Sequence, residues 1–191
     1  IVLLHSVFSN ECLLEGGLFD AVRRVSQPKS YFIGNEYKSM PEKMDFCRNL
    51  GVAMLVTMNP SPKGQELYRA HLGCKIACIP SAGLDTEMFG ATRSRSERPV
   101  DIGYRAFLTP LYLGNAERER IASHFSDNAG RWGLKIDISL DPKDRFNTVG
   151  WARFLNNCKG QLGSEAGTDY FELTDETRKK VNEYLKLHPH A

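Results

Sequence analysis

Short apolar runs recur along the chain, and stretches with helical spacing separate them. Ile1 to Leu4 is apolar at every position, as expected of a strand buried on both faces. A helix-compatible stretch from Cys12 to Val25 follows, and then a second apolar run, Ser30 to Gly34. Ser39 and Pro41 open a helix that carries Met40, Met44 and Cys47 on one face and ends at Gly51. Val52 to Met58 reads as a strand, Ser61 to Leu72 as a helix closed by Gly73, and Lys75 to Ile79 as a fourth strand. Strands alternating with helices predict a parallel sheet covered by helices.

The periodicity stops between Pro80 and Pro99, where Ala91 to Pro99 is polar and basic, the composition of a linker. It then restarts. Val100 to Tyr104 is a strand, and a loop leads to a helix capped at Asn115 with Ile121, Ala122, Phe125, Ala129 and Trp132 as its apolar stripe. Leu134 to Ser139 is the next strand, a helix spans Thr148 to Cys158, Gly160 to Gly163 is a short strand, and Thr174 caps a last helix. The reading is an α/β protein of two Rossmann-like parallel-sheet units. Residues 1–90 form the first, 91–99 the linker and 100–191 the second. Sheets of this kind bind ligands beyond the carboxyl ends of their strands, so the loops after strands become the candidate sites.

Composition narrows the function classes. The 191 residues are 41% hydrophobic and 25% charged, a globular profile. Lys and Arg number 25 against 23 Asp and Glu, for a net charge of +2, so no global field favours nucleic acid or an anionic membrane, and any anion site is local. No apolar run approaches the ~20 residues needed to span a bilayer, and no signal-peptide pattern is present. Cys12, Cys47, Cys74, Cys78 and Cys158 are an odd number in neither a disulfide framework nor a zinc spacing. They read as free thiols of a cytoplasmic protein.

Four post-strand loops carry candidate chemistry. In Gly103-Tyr104-Arg105, an always-charged guanidinium leaves a strand ahead of a helix N-terminus, where both could meet one phosphate. A structural ion pair is the alternative use of Arg105. In Gly163-Ser164-Glu165-Ala166-Gly167, the glycines admit a ligand to the backbone while Glu165 offers a carboxylate to sugar hydroxyls. A helix cap or turn is the other reading. Glu165 fills the centre of that motif and Ser164 lies one place early, so it is no hydrolase elbow. Asn35 and Glu36, beside Lys38, either contact an acceptor or form a left-handed turn. The Thr57 to Pro60 loop is the fourth. His5 and Ser6, as neighbours on a strand, make a poor dyad. His71, His124, His188 and His190 show no metal-ligand spacing. No P-loop or dinucleotide fingerprint occurs.

In order, Tyr31-Phe32-Ile33-Gly34-Asn35-Glu36-Tyr37-Lys38, Pro99-Val100-Asp101-Ile102-Gly103-Tyr104-Arg105, Pro110-Leu111-Tyr112-Leu113-Gly114 and Leu162-Gly163-Ser164-Glu165-Ala166-Gly167 resemble the group 1 glycosyltransferases of GT-B fold. Within that group they are most similar to the CgeB-type, spore maturation protein-like branch. The resemblance runs from about Tyr31 onward. It implies a hexosyltransferase that moves a sugar from a nucleotide-diphosphate sugar to a glycan or small-molecule acceptor, with no cofactor beyond the donor and no metal. It implies donor contacts at Gly103, Arg105, Ser164, Glu165 and Gly167, with Asn35 and Glu36 on the acceptor side, and assigns no catalytic base. Nothing after Thr174 matches the family's further Glu-bearing helix, so the resemblance also implies part of a longer protein. A non-catalytic nucleotide- or glycan-binding module of the same fold is the competing expectation.

Overall fold

The computed structural model describes residues 1–8, 11–14, 16–80, 83, 85–164 and 168–189. The protein is α/β and divides into two compact units, Ile1–Ala82 with Gly167–Ala191, and Gly83–Ala166.

The first unit holds β1 (Val2–Leu3), α1 (Gly16–Arg24), β2 (Ser30–Phe32), α2 (Met40–Leu50), β3 (Met54–Thr57), α3 (Pro62–Leu72) and β4 (Lys75–Cys78). Its four strands are parallel and lie in chain order, β1-β2-β3-β4. Every connection therefore steps the same way across the sheet. Right-handed crossovers then put α1, α2 and α3 on one face, where α1 packs on α2 and α2 on α3. The register aligns Leu3, Tyr31, Leu55 and Ile76 across the sheet, and all four enter the core with Met40, Met44, Phe46, Cys47, Leu50 and Tyr68. Tyr31, Leu55 and Tyr68 are fully buried, and each large apolar side chain so placed contributes roughly 1.5–3 kcal/mol. Gly51 and Gly73 end α2 and α3 in the left-handed conformation that glycine adopts without strain.

The second unit holds β5 (Val100–Arg105), α4 (Glu117–Trp132), β6 (Ile136–Ser139), α5 (Thr148–Asn157) and β7 (Cys158–Gln161), with parallel strand order β6-β5-β7. Here the first connection steps one way and the second steps back over β5. With both crossovers right-handed, α4 and α5 cover opposite faces: α4 packs on β6, and α5 packs on β5 and β7. Central β5 is crowded. A Cβ on Gly103 would fall 2.5 Å from the Cys158 sulfur and 2.8 Å from the Phe154 ring, so only glycine fits.

Parts of the chain depart from the sequence expectation, among them the short strand expected at Gly160 to Gly163, which runs as β7 from Cys158 to Gln161. Residues 91–99 are no free linker. Thr92 N–H donates to Asn156 Oδ1 at 2.7 Å, Arg93 reaches Asn157, and Arg98 donates to the Leu155 and Cys158 carbonyls at 3.3 and 3.0 Å. Glu97 accepts from both Ser94 N–H and Ser94 Oγ, closing a short 3-10 turn, so the segment is part of the second unit. Polarity signalled a linker because these residues are mostly exposed, yet they also bond to the end of α5 and the start of β7.

The chain's last segment, expected in the second unit, belongs to the first. Helix α6 (Glu176–Leu187) starts one residue later than a Thr174 cap would give, with Asp175 in a left-handed conformation at its head. The Asp175 carboxylate turns away from α6 and closes α2 instead. It accepts from Ser39 N–H at 2.7 Å and Met40 N–H at 3.2 Å, and Arg178 donates to it at 2.6 Å. A carboxylate at a helix N-terminus meets unsatisfied amides and the positive end of the helix dipole. Phe171 and Leu173 pack on the first core, with Phe171 edge-on to Tyr68 at 5.2 Å. Helix α4 likewise starts past the expected Asn115 cap, with Ala116 at the capping position and no side-chain cap.

Candidate functional site

The second unit's strand order reverses at β5, which makes the carboxyl end of β5 a topological switch point. A cavity of about 290 Å³ opens there. Its floor is the end of β5, Tyr104 and Arg105, with Gly163 and Ser164 from the loop after β7. Tyr104 is buried and its hydroxyl lies 3.1 Å from Ser164 Oγ, which fixes the height of that loop above the sheet.

Arg105 in this floor is held from below. Its Nη1 donates to the Tyr104 and Asp137 carbonyls at 3.0 and 2.9 Å, and its Nη2 meets Asp137 Oδ1 at 2.6 Å. The guanidinium lies over the rings of Phe154 and Phe146, 4.7 and 5.2 Å from their centroids, and its side chain is only 10% exposed. Asp137 thus matches its charge, and stacking fixes its plane.

Two further arginines carry charge with no ion pair among the described residues. Arg118, in the first turn of α4, lies 4.6 Å from the Phe107 ring, and Arg145, in the loop between β6 and α5, lies 5.7 Å from the same ring. Both line the cavity, and among the described residues neither guanidinium has a hydrogen bond or ion pair. Phe107 sits in a loop tethered to α4 by Glu119, which accepts from Thr109 N–H at 2.5 Å and Thr109 Oγ1 at 3.3 Å. Burial opposes ionisation there, but the Thr109 bonds, the Glu119 amide and the Arg118 charge together hold the Glu119 carboxyl below its ordinary range. Trp151 closes the cavity from α5. The result is an aromatic-walled recess carrying two unpaired cations, which suits a ligand with at least two negative charges and a flat apolar part.

Sequence reasoning missed Arg118, Arg145, Phe107 and Trp151. One signal was available: an arginine in the first turn of a helix opposes the helix dipole, and such a misfit marks a residue held there for another purpose. Of the residues expected on the donor side, Arg105 and Ser164 line this recess, whereas Gly103 lies within β5, packed against Cys158, Gln161 and Phe154. Glu165 and Gly167 lie outside the described residues.

The residues expected on the acceptor side are engaged within the first unit. Asn35 takes the left-handed conformation, with φ of 49°, and its carbonyl accepts from Lys43 Nζ at 2.9 Å. Its Oδ1 accepts from Tyr37 OH at 3.3 Å. The Glu36 carboxylate accepts from Thr57 Oγ1 at 2.7 and 2.8 Å, from Tyr68 OH at 2.6 Å and from Met58 N–H at 3.3 Å, tying β2 to β3 and α3. Burial, reinforced by this carboxylate, pushes the Tyr68 phenol above its usual range, so it stays a proton donor to Glu36. Lys43, itself buried, also donates to the Gly34 carbonyl at 2.7 Å. Desolvation lowers its ammonium to about 8 against the opposing attraction of Asp175 and Glu36. His5 and Ser6 lie in a 3-10 turn rather than on a strand, and the His5 side chain abuts Gly34.

All five cysteines are unpaired, and burial raises the Cys47 thiol to about 12. Among the described residues, no three His, Cys, Asp or Glu side chains gather as metal ligands, and no helix is long and apolar enough to cross a membrane. Compared with known proteins, the chain matches no family model, and no curated protein or solved structure shows significant similarity to it.

Proposed function

We propose that the chain is part of a GT-B-type glycosyltransferase and that the recess at the end of β5 takes the diphosphate of a nucleotide-sugar donor. The observation that carries this reading is the pair of guanidiniums with no ion pair among the described residues, Arg118 and Arg145, beside an aromatic wall at a switch point. In the reaction, an acceptor oxygen bonds to the anomeric carbon as the bond from that carbon to the phosphate oxygen breaks. The nucleoside diphosphate leaves with the electron pair. Arg118 and Arg145 stabilise the charge that develops on it, a contribution on the order of a few kcal/mol. Arg105 acts by position. Its Nη groups are held by Asp137 and the backbone, so it forms the floor on which the phosphates lie.

Among the described residues, the lining holds no carboxylate or imidazole. Five unpaired thiols accord with work in a reducing cytoplasm.

Calorimetric titration with a panel of nucleotide-diphosphate sugars tests the reading. A charge-assisted hydrogen bond to phosphate is worth roughly 1.5–3 kcal/mol, so Arg118→Ala and Arg145→Ala should each weaken donor binding at least tenfold, with circular dichroism unchanged. Equal binding by wild type and both variants overturns the assignment. A product assay with the same panel distinguishes a transferase from a module of this fold that only binds.

A further inference from the structure

The first unit contains a second and larger cavity, about 540 Å³, which the donor reading does not use. It lies between the segment after β1, helix α1 and one stripe of α2. Its floor is aromatic: Phe8 meets Phe46 edge-on at 5.5 Å, and Phe19 lies 6.2 Å from Phe46. Its rim is acidic. Glu42 and Asp45 stand beside Phe46 on the same stripe of α2, and exposed Glu11 faces in from the β1 side. Among the described lining residues there is no lysine, arginine or histidine. Arg48, a turn along α2, pairs with Asp45, and Arg23, a turn from Phe19 on α1, pairs with Asp20, while Glu11 and Glu42 have no ion pair among the described residues.

An apolar floor under a rim of one charge sign selects an amphiphile of the opposite charge. Phenyl rings add to that preference, because their faces and the carboxylates both attract a cation while the cavity buries hydrocarbon. The volume is in the range of small-molecule sites. We propose that this cavity binds an organic ammonium, a ligand with an apolar body and a positively charged nitrogen, with the body against Phe8, Phe19 and Phe46 and the nitrogen between Glu11 and Glu42. The assignment is independent of the donor recess. That recess carries arginines and repels the same ligand.

The test uses hexyltrimethylammonium as the probe, with hexan-1-ol and hexanoate as its uncharged and anionic counterparts, titrated by NMR against the full chain. The cation should bind at least tenfold tighter than the alcohol, the acid should bind weakest, and the protein shifts should fall on the Phe8, Phe19 and Phe46 rings. The double substitution Glu11→Gln with Glu42→Gln should cost at least fivefold in cation affinity and leave hexanol binding unchanged, which also reports that the cavity is still formed. Equal affinity for cation and alcohol, an unchanged cation affinity in the double variant, shifts centred elsewhere, or no saturable binding of the cation each overturn the proposal.

Discussion

The two sheets have the same parts and differ in the order in which those parts are laid down. In the first unit the strands run β1-β2-β3-β4, so consecutive loops leave the carboxyl edge side by side with no gap between diverging connections. Its post-strand loop at Asn35 and Glu36 is filled by the protein's own hydrogen bonds to Lys43, Thr57 and Tyr68. In the second unit the order β6-β5-β7 sends the chain to opposite sides of β5, and a recess opens where the connections part. The same alternation of strand and helix therefore gives one sheet a post-strand loop held by internal hydrogen bonds and the other a recess at its switch point. Strand order, more than residue content, separates the two edges.

That contrast can be broken most severely at Gly103. Valine there would bring a side chain into Cys158, Gln161 and Phe154, each less than 3 Å from the first added carbon, and should cost ~3 kcal/mol or more. Native-state hydrogen exchange should show the loss in β5, β6 and β7 alone, with the first sheet's protection retained. Equal loss in both units would mean that they do not fold as separate bodies.

The next largest effect is expected at Asp175. Alanine there strips two amide partners from the head of α2 and leaves Arg178 without its carboxylate, at a cost of about 2–3 kcal/mol. Faster exchange at α2 with the arginine recess unaltered would confirm that the chain's last segment serves the first unit. An unchanged α2 would sever that link.

The smallest effect is a pH slope in the first unit. Lys43 is lowered from 10.5 to about 8 in the folded protein, so the unfolded chain binds more protons between those values. Stability from this group therefore rises with pH through that window, by at most about 1.4 kcal/mol per pH unit. The Cys47 thiol, raised to about 12, acts in the opposite sense above its unfolded value of 9. Chemical unfolding of wild type and Lys43→Met between pH 8 and 9.5 isolates the lysine. The wild type should gain stability relative to the variant as pH rises, and parallel curves would remove Lys43 from the account.

Much of this was legible in the sequence, and the limits have physical causes. The succession of strands and helices was readable because apolar runs and helical stripes are local signals, and proline and glycine punctuate them at Pro62, Gly51 and Gly73. Strand order was not readable, since nothing local distinguishes a connection that steps left from one that steps right. The place of α6 rests on Asp175 meeting Ser39, residues 136 apart in the chain, and no pattern near either predicts the other. Residues 91–99 looked like a linker because a network of Arg93, Ser94, Glu97 and Arg98 has the same composition as solvated chain. Arg105 drew attention because it ends a strand, yet the cations with no ion pair among the described lining residues are Arg118 and Arg145, which only the folded loops bring beside Phe107.

The carboxylate of Asp175 also sets an order of events during synthesis. The first unit's strands and helices leave the ribosome early, but the group that closes α2 is made after the whole of the second unit. The second unit, continuous in sequence, can complete itself as it emerges, whereas the first must wait with the head of α2 uncapped. The part translated first is thus the part finished last.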